Sequence, residues 1–167
     1  VTPEEMMDAA LAVAEDGLAA GELPIGAVVL LGDEIVGRAY TQERALRRRI
    51  VHADLLAMDA ADRVLGWRKR EHPLRLAVTL EPCVMCLGAA MTLGVTEIVY
   101  ALESPGDGAA VLGTWRPETG DLPGYAVPVL VGGVRRAEAR ELFRRYCDQA
   151  PDSGMRRWAR TLLDRPN

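Results

Sequence analysis

His52 on one side, and Cys83 with Cys86 on the other, constrain this chain more than any other residues in it. One imidazole and two thiols are the donors that zinc takes in a tetrahedron, and a site with three protein ligands keeps its fourth corner for water. Ligands so far apart in sequence serve one ion only if the fold brings two segments together. Cys83 and Cys86 are spaced to share one face of a helix, and the positive end of a helix N-terminus favours thiolate, the form that binds the metal. Pro82 suits a position at or just before such a start. His52 and Asp54 would diverge along a helix, but at a helix tip both can face one pocket. Both motifs are therefore expected at helix N-termini, with His52, Cys83 and Cys86 as metal ligands. Bound zinc brings the pKa of its water from about 15.7 to near 7, and Asp54 is the carboxylate placed to move the protons, hence the candidate catalytic residue. A Cys-x-x-Cys pair alone also fits a redox site, but a redox pair needs neither His52 nor Asp54.

The rest of the chain supplies a frame for two such tips. Thr2-Pro3-Glu4-Glu5 reads as a capping box with proline at the first helical position, and apolar residues recur at helical spacing from Met6 to Leu18, ending at Gly21. Ile25 to Leu31 and Glu34 to Tyr40, joined by Gly32-Asp33, read as a hairpin. Thr41 to Val51 is charged and has no apolar period, whereas Ala53 to Val64 carries a helical stripe, so His52 stands where a loop enters a helix. Leu74 to Leu80 is expected as a strand, Cys83 to Leu93 as a helix, Thr96 to Leu102 and Val127 to Val131 as strands, and Ala137 to Gln149 and Met155 to Leu163 as helices. Glu103 to Gly124 is rich in Gly, Pro and charge and is long for a connection inside a compact domain. Helix, hairpin, then alternating helix and strand is the order of an α/β sheet covered on both faces.

Composition narrows the function classes. The chain has 167 residues, about one domain's worth, and a formal net charge of −4, which argues against charge-driven nucleic-acid binding and favours a small substrate. Three cysteines make a poor disulfide framework and fit reduced thiols in a cytosol, with Cys147 inert. No apolar run approaches the roughly 20 residues of a membrane span. The expected location is cytoplasmic, with no membrane partner. His72 reads as structural, and Arg47-Arg48-Arg49 as a solvated face next to the metal-ligand helix.

These motifs resemble the tRNA adenosine deaminase and guanine deaminase branch of the cytidine-deaminase-like superfamily, in which His-x-acid and Pro-Cys-x-x-Cys hold zinc while the acid shuttles protons. The likeness runs from about Met6 to Cys147: Glu22-Leu23-Pro24-Ile25-Gly26-Ala27-Val28 looks like the first strand, Leu80-Glu81-Pro82-Cys83-Val84-Met85-Cys86 like the second metal motif, and Gly108-Ala109-Ala110 like the loop after strand four. It implies a three-layer α/β/α sandwich with a five-stranded mixed sheet, one zinc per subunit and a homodimer. Residues 1–167 would form a single deaminase domain, with 151–167 a C-terminal helical tail. The expected reaction is hydrolytic release of ammonia from a nucleobase, nucleoside or related amino-heterocycle.

The departures bear on the substrate. The family's acid is Glu, and here it is Asp54; the shorter side chain retracts the carboxylate by roughly 1.5 Å, where about 1 Å of misplacement can cost on the order of 10² in rate. Either the helix starts closer to the metal, or a water relays the proton, or the site is weakened. Thr41 stands where purine-acting relatives place an Asn, Tyr125-Ala126 where tRNA enzymes have Asn-His, and Gly106-Asp107 exchanges a basic residue for an acidic one. Thr41, Ala53, Tyr125 and Trp158 are the candidate substrate contacts, Trp158 through a tail that in guanine deaminases can complete a neighbouring site. A tRNA wobble adenosine is the alternative substrate, disfavoured by these changes. A non-catalytic, zinc-stabilised partner subunit is the alternative from another class.

Overall fold

The structure, a computed structural model, describes residues 1–118 and 125–166. Five strands form one mixed sheet in the order β2-β1-β3-β4-β5: β1 Gly26–Leu31, β2 Glu34–Tyr40, β3 Leu74–Leu80, β4 Val95–Leu102 and β5 Val129–Val131. β1 runs antiparallel to both β2 and β3, while β3, β4 and β5 are mutually parallel. Alternate strand residues feed two apolar layers. Val28, Leu30, Val99 and Ala101 meet α1 (Pro3–Ala19), α5 (Arg136–Gln149) and α6 (Gly154–Leu163). Ala27, Val29, Ile98 and Tyr100 meet α3 (Ala53–Leu65) and α4 (Val84–Leu93). This is the expected three-layer α/β/α sandwich.

Its first helix begins as the sequence predicts, with the Thr2 hydroxyl accepting from the Glu5 N–H at 3.2 Å and the Glu5 carboxylate accepting from the Thr2 N–H at 2.7 Å. Three elements differ from expectation, each for a local reason. The charged segment after β2 contains a one-turn helix, α2 (Glu43–Leu46), because the buried Glu22 carboxylate accepts from the N–H groups of Arg44 at 3.1 Å and Ala45 at 2.6 Å. The last strand starts two residues late, after Pro128, which has no N–H to give a ladder. The long connection holds a 3-10 turn at Ala109–Leu112, and its residues 119–124 lie outside the described residues, as does Asn167 of the tail.

Antiparallel β1 and parallel β3 and β4 put four chain ends at one edge of the sheet. There β1 begins after Leu23 and Ile25, β2 ends into Thr41, β3 into Glu81 and β4 into Ser104. The carboxyl ends of parallel strands are the common ligand edge of α/β sheets.

Seating α3 at this edge depends on Gly37 of β2. A Cβ there would collide with the Ala57 carbonyl oxygen and lie 2.8 Å from the Ala61 nitrogen, both on α3. Gly37→Ala is expected to lower stability by about 1–3 kcal/mol through overpacking, read as a lower denaturant midpoint with an unchanged slope. An unchanged midpoint would mean that α3 can move off the sheet freely.

Candidate metal centre

His52 is the N-cap of α3 and Cys83 the N-cap of α4, both with extended backbone and neither spending its side chain on a capping hydrogen bond. Each is thus left to point elsewhere, and they point at one another. Nδ1 of His52 stands 3.6 Å from Cys83 Sγ and 3.7 Å from Cys86 Sγ. All three ligand atoms lie within 4.8 Å of one another, and no other such cluster occurs among the described residues. The structure brings together the three residues that the sequence predicts as ligands.

The electrostatics of the cluster describe a cation site. The hydrogen-bonded Cys83 sulfur raises the His52 imidazole to about 9, with burial opposing. Cys83 is lowered to about 4, first by its hydrogen bond with Cys86, then by His52. Cys86 is pushed up by the same bond with Cys83 and by burial. In the ion's absence the contacts with Cys86 and His52 are what favour the Cys83 thiolate. A divalent ion takes over that work at once, and one nitrogen with two sulfurs is the donor set zinc prefers over harder cations. The residues fit zinc.

Asp54 follows immediately in the first turn of α3, 4% exposed. Burial pushes its carboxyl up, and a hydrogen bond with Cys86 opposes that. A carboxyl with this bias can hold a proton as well as accept one. It lines the same cavity as the metal cluster, a space of about 400 Å³ that also meets Thr41, Ala53 and Trp158. Tyr125 is not brought there. Half-buried, it packs against the α3 and α4 layer, because its segment runs into β5 at the far edge of the sheet. The tail closes over its own chain's cavity through Gly154, Met155 and Trp158. Trp158 is held edge-to-face on Phe143, ring centres 6.4 Å apart at 71°.

Sequence reasoning missed Glu43, Glu81, Ser104 and Asp107, which also line the cavity. Glu81 is 5% exposed and staples the connection after β4, accepting from the N–H groups of Ser104 at 3.0 Å and Ala110 at 2.8 Å. Gly108 lets the loop pass so near: a Cβ would lie 2.5 Å from that carboxyl. The Ser104 hydroxyl in turn donates to Asp107 at 2.6 Å. The signal for Glu43 was present, a lone acid among the arginines of Thr41 to Val51.

Comparison with known proteins agrees with this geometry. Residues 1–102 match a family model described as the cytidine and deoxycytidylate deaminase zinc-binding region. A tRNA-specific adenosine deaminase of Bacillus subtilis is 38% identical over 112 residues, 66% of this chain and 68% of that protein. A tRNA(Ile)-lysidine synthase of Deinococcus radiodurans is 42% identical over 139 residues, 83% of this chain but 23% of that protein, so the chain spans under a third of that relative's length. A solved guanine deaminase from Nitrosomonas europaea superposes with a TM-score of 0.68 at 26% identity, covering 87% of this chain and 85% of that one.

Proposed function

Because this chain belongs to the cytidine and deoxycytidylate deaminase family, whose cofactor is zinc, we propose that it hydrolyses an amino-heterocycle, a free nucleobase or nucleoside, and releases ammonia. The observation that carries the choice of substrate is the cavity wall. Carboxylates of Glu43, Asp54, Glu81 and Asp107 line it, and among the described residues no Lys or Arg does. A phosphate would meet like charge there with no Lys or Arg beside it. An uncharged, donor-rich ring suits it, and about 400 Å³ is within the usual range of small-molecule sites.

His52, Cys83 and Cys86 hold the zinc in this reading. When bound, the ion supplies Lewis acidity that makes a water nucleophilic near neutral pH. Asp54 takes the proton of the attacking water and gives it to the ring nitrogen beside the amino-bearing carbon. The same carboxylate then carries the proton of the new carbon-bound hydroxyl to the departing amine, leaving a carbonyl and ammonia. Trp158 offers a ring face to the heterocycle, a contact typically worth about 1–3 kcal/mol for a base. Residues 1–167 act as one deaminase domain, in the cytoplasm. A second copy covers α4, which is apolar all round yet leaves Val84 and Met85 exposed.

The test is ammonia release by purified zinc-loaded protein from aminopurines, aminopyrimidines, their nucleosides and the nucleoside 5′-monophosphates. Release from bases or nucleosides, with the monophosphates poor, is expected. Silence across the panel, or a preference for monophosphates, sinks the proposal. One observation favours a tRNA substrate instead: Arg47, Arg48 and Arg49 are exposed next to the metal-ligand helix, and inosine formation in an anticodon stem-loop would establish it.

A further inference from the structure

We propose that Glu43 is a positioning residue of the metal centre: its carboxylate orients the outer ring nitrogen of His52 and is itself held by the Thr41 hydroxyl. The inference rests on the zinc reading of the site and is independent of which heterocycle is consumed. With Nδ1 of His52 turned to both sulfurs, at 3.6 and 3.7 Å, the other nitrogen must carry the ring proton when a metal is bound. That nitrogen, Nε2, faces Glu43 Oε1 at 4.0 Å, with both side chains only about a quarter exposed. The same Oε1 accepts the Thr41 hydroxyl at 2.9 Å. Thr41 is 1% exposed and is fixed to the sheet edge, its N–H donating to the Ile25 carbonyl at 3.0 Å. A line of contacts therefore runs from the start of β1 through Thr41 and Glu43 to the imidazole.

A carboxylate facing the second nitrogen of a ligand histidine fixes its tautomer and ring orientation and raises its basicity. Glu43 is the sole carboxylate in the segment between Thr41 and Val51, and Glu22 holds the short helix on which it sits. The same contacts revise the part played by Thr41. Its hydroxyl proton is engaged by Glu43, with the Val51 carbonyl as an alternative acceptor at 3.3 Å, so it has no donor left to offer a base. At this wall a substrate meets the Glu43 carboxylate.

Zinc affinity of the full chain, measured by competition with a chromophoric chelator at fixed pH, tests the proposal. Glu43→Ala is expected to weaken zinc binding by about 10- to 100-fold, as loss of an outer carboxylate does elsewhere. Glu43→Gln, which keeps an acceptor but loses the charge, should fall between Ala and the natural residue. Thr41→Val should weaken binding less than Glu43→Ala, and Thr41→Ser, which keeps the hydroxyl, should restore it. Wild-type affinity in Glu43→Ala overturns the proposal, as does equal affinity in Thr41→Val and Thr41→Ser. Should Glu43→Ala not fold, the two Thr41 variants decide alone. A protein inactive on every heterocycle that still shows this ordering refutes the proposed reaction and leaves the role of Glu43 standing.

Discussion

Asp54→Asn is expected to lower turnover by about 10² to 10⁴, the usual contribution of a positioned general acid–base, while the zinc content stays at the wild-type value. The amide matches the carboxyl in shape but cannot take a proton from water. Asp54 is outside the mutual cluster of His52, Cys83 and Cys86, and the amide keeps a hydrogen-bonding group beside Cys86, so the three ligand atoms are retained. Measured side by side, ammonia release and bound zinc separate proton transfer from metal binding. Equal activity in Asp54→Asn would remove Asp54 from the mechanism. Asp54→Glu adds a second discrimination. In a pocket built around the shorter acid, an extra methylene misplaces the carboxylate by about 1 Å and should cost on the order of 10². If Glu instead creates activity where Asp has none, the natural chain is a zinc-stabilised partner subunit and not the enzyme.

The parts of this site legible in the sequence are those whose chemistry is local. Cys83 and Cys86 share a helix face by spacing alone, Pro82 marks the start, and the apolar stripe that begins after His52 puts the imidazole at a helix tip. The β1–β2 hairpin is legible too, because the Gly32-Asp33 turn sets the two strands side by side, whereas the order of the full sheet is not. What escaped depends on contacts distant in sequence. The one-turn helix carrying Glu43 exists because Glu22 caps it from the far side of β1 and β2. Periodicity has nothing to say about such a turn. Likewise Glu81 stands in the metal motif and Asp107 in the loop after β4, but that both line the cavity appears only when this connection folds back onto the end of β3, pairing Cys83 with Gly108. Likeness of position puts Tyr125 at the site; the strand it leads into, β5, lies at the edge of the sheet, and the ring packs on the α3 and α4 layer without lining the cavity.

Removing a ligand should have the other large effect. Cys86 is fully buried in the first turn of α4, and its sulfur lies 3.7 Å from His52 Nδ1. Cys86→Ala leaves one nitrogen and one sulfur, too few to close a tetrahedral site. Zinc affinity should fall by more than about 100-fold, beyond what losing an outer partner costs. The same loss should appear as instability, because an ion that binds only the folded chain stabilises it by mass action, about 4 kcal/mol when free zinc is 1,000 times its dissociation constant. For a chain of this size that corresponds to roughly 8–16 °C in melting temperature, at about 2–4 °C per kcal/mol. A chelator should lower the wild-type melting temperature by a similar amount and leave Cys86→Ala unmoved. Cys147→Ala is the control. Cys147 is buried on α5 against the opposite face of the sheet, among Phe143, Tyr146 and Leu162, so its loss should disturb packing without touching zinc. Full zinc occupancy in Cys86→Ala, or a wild-type melting temperature indifferent to the chelator, would show that the three ligand atoms do not act as one site.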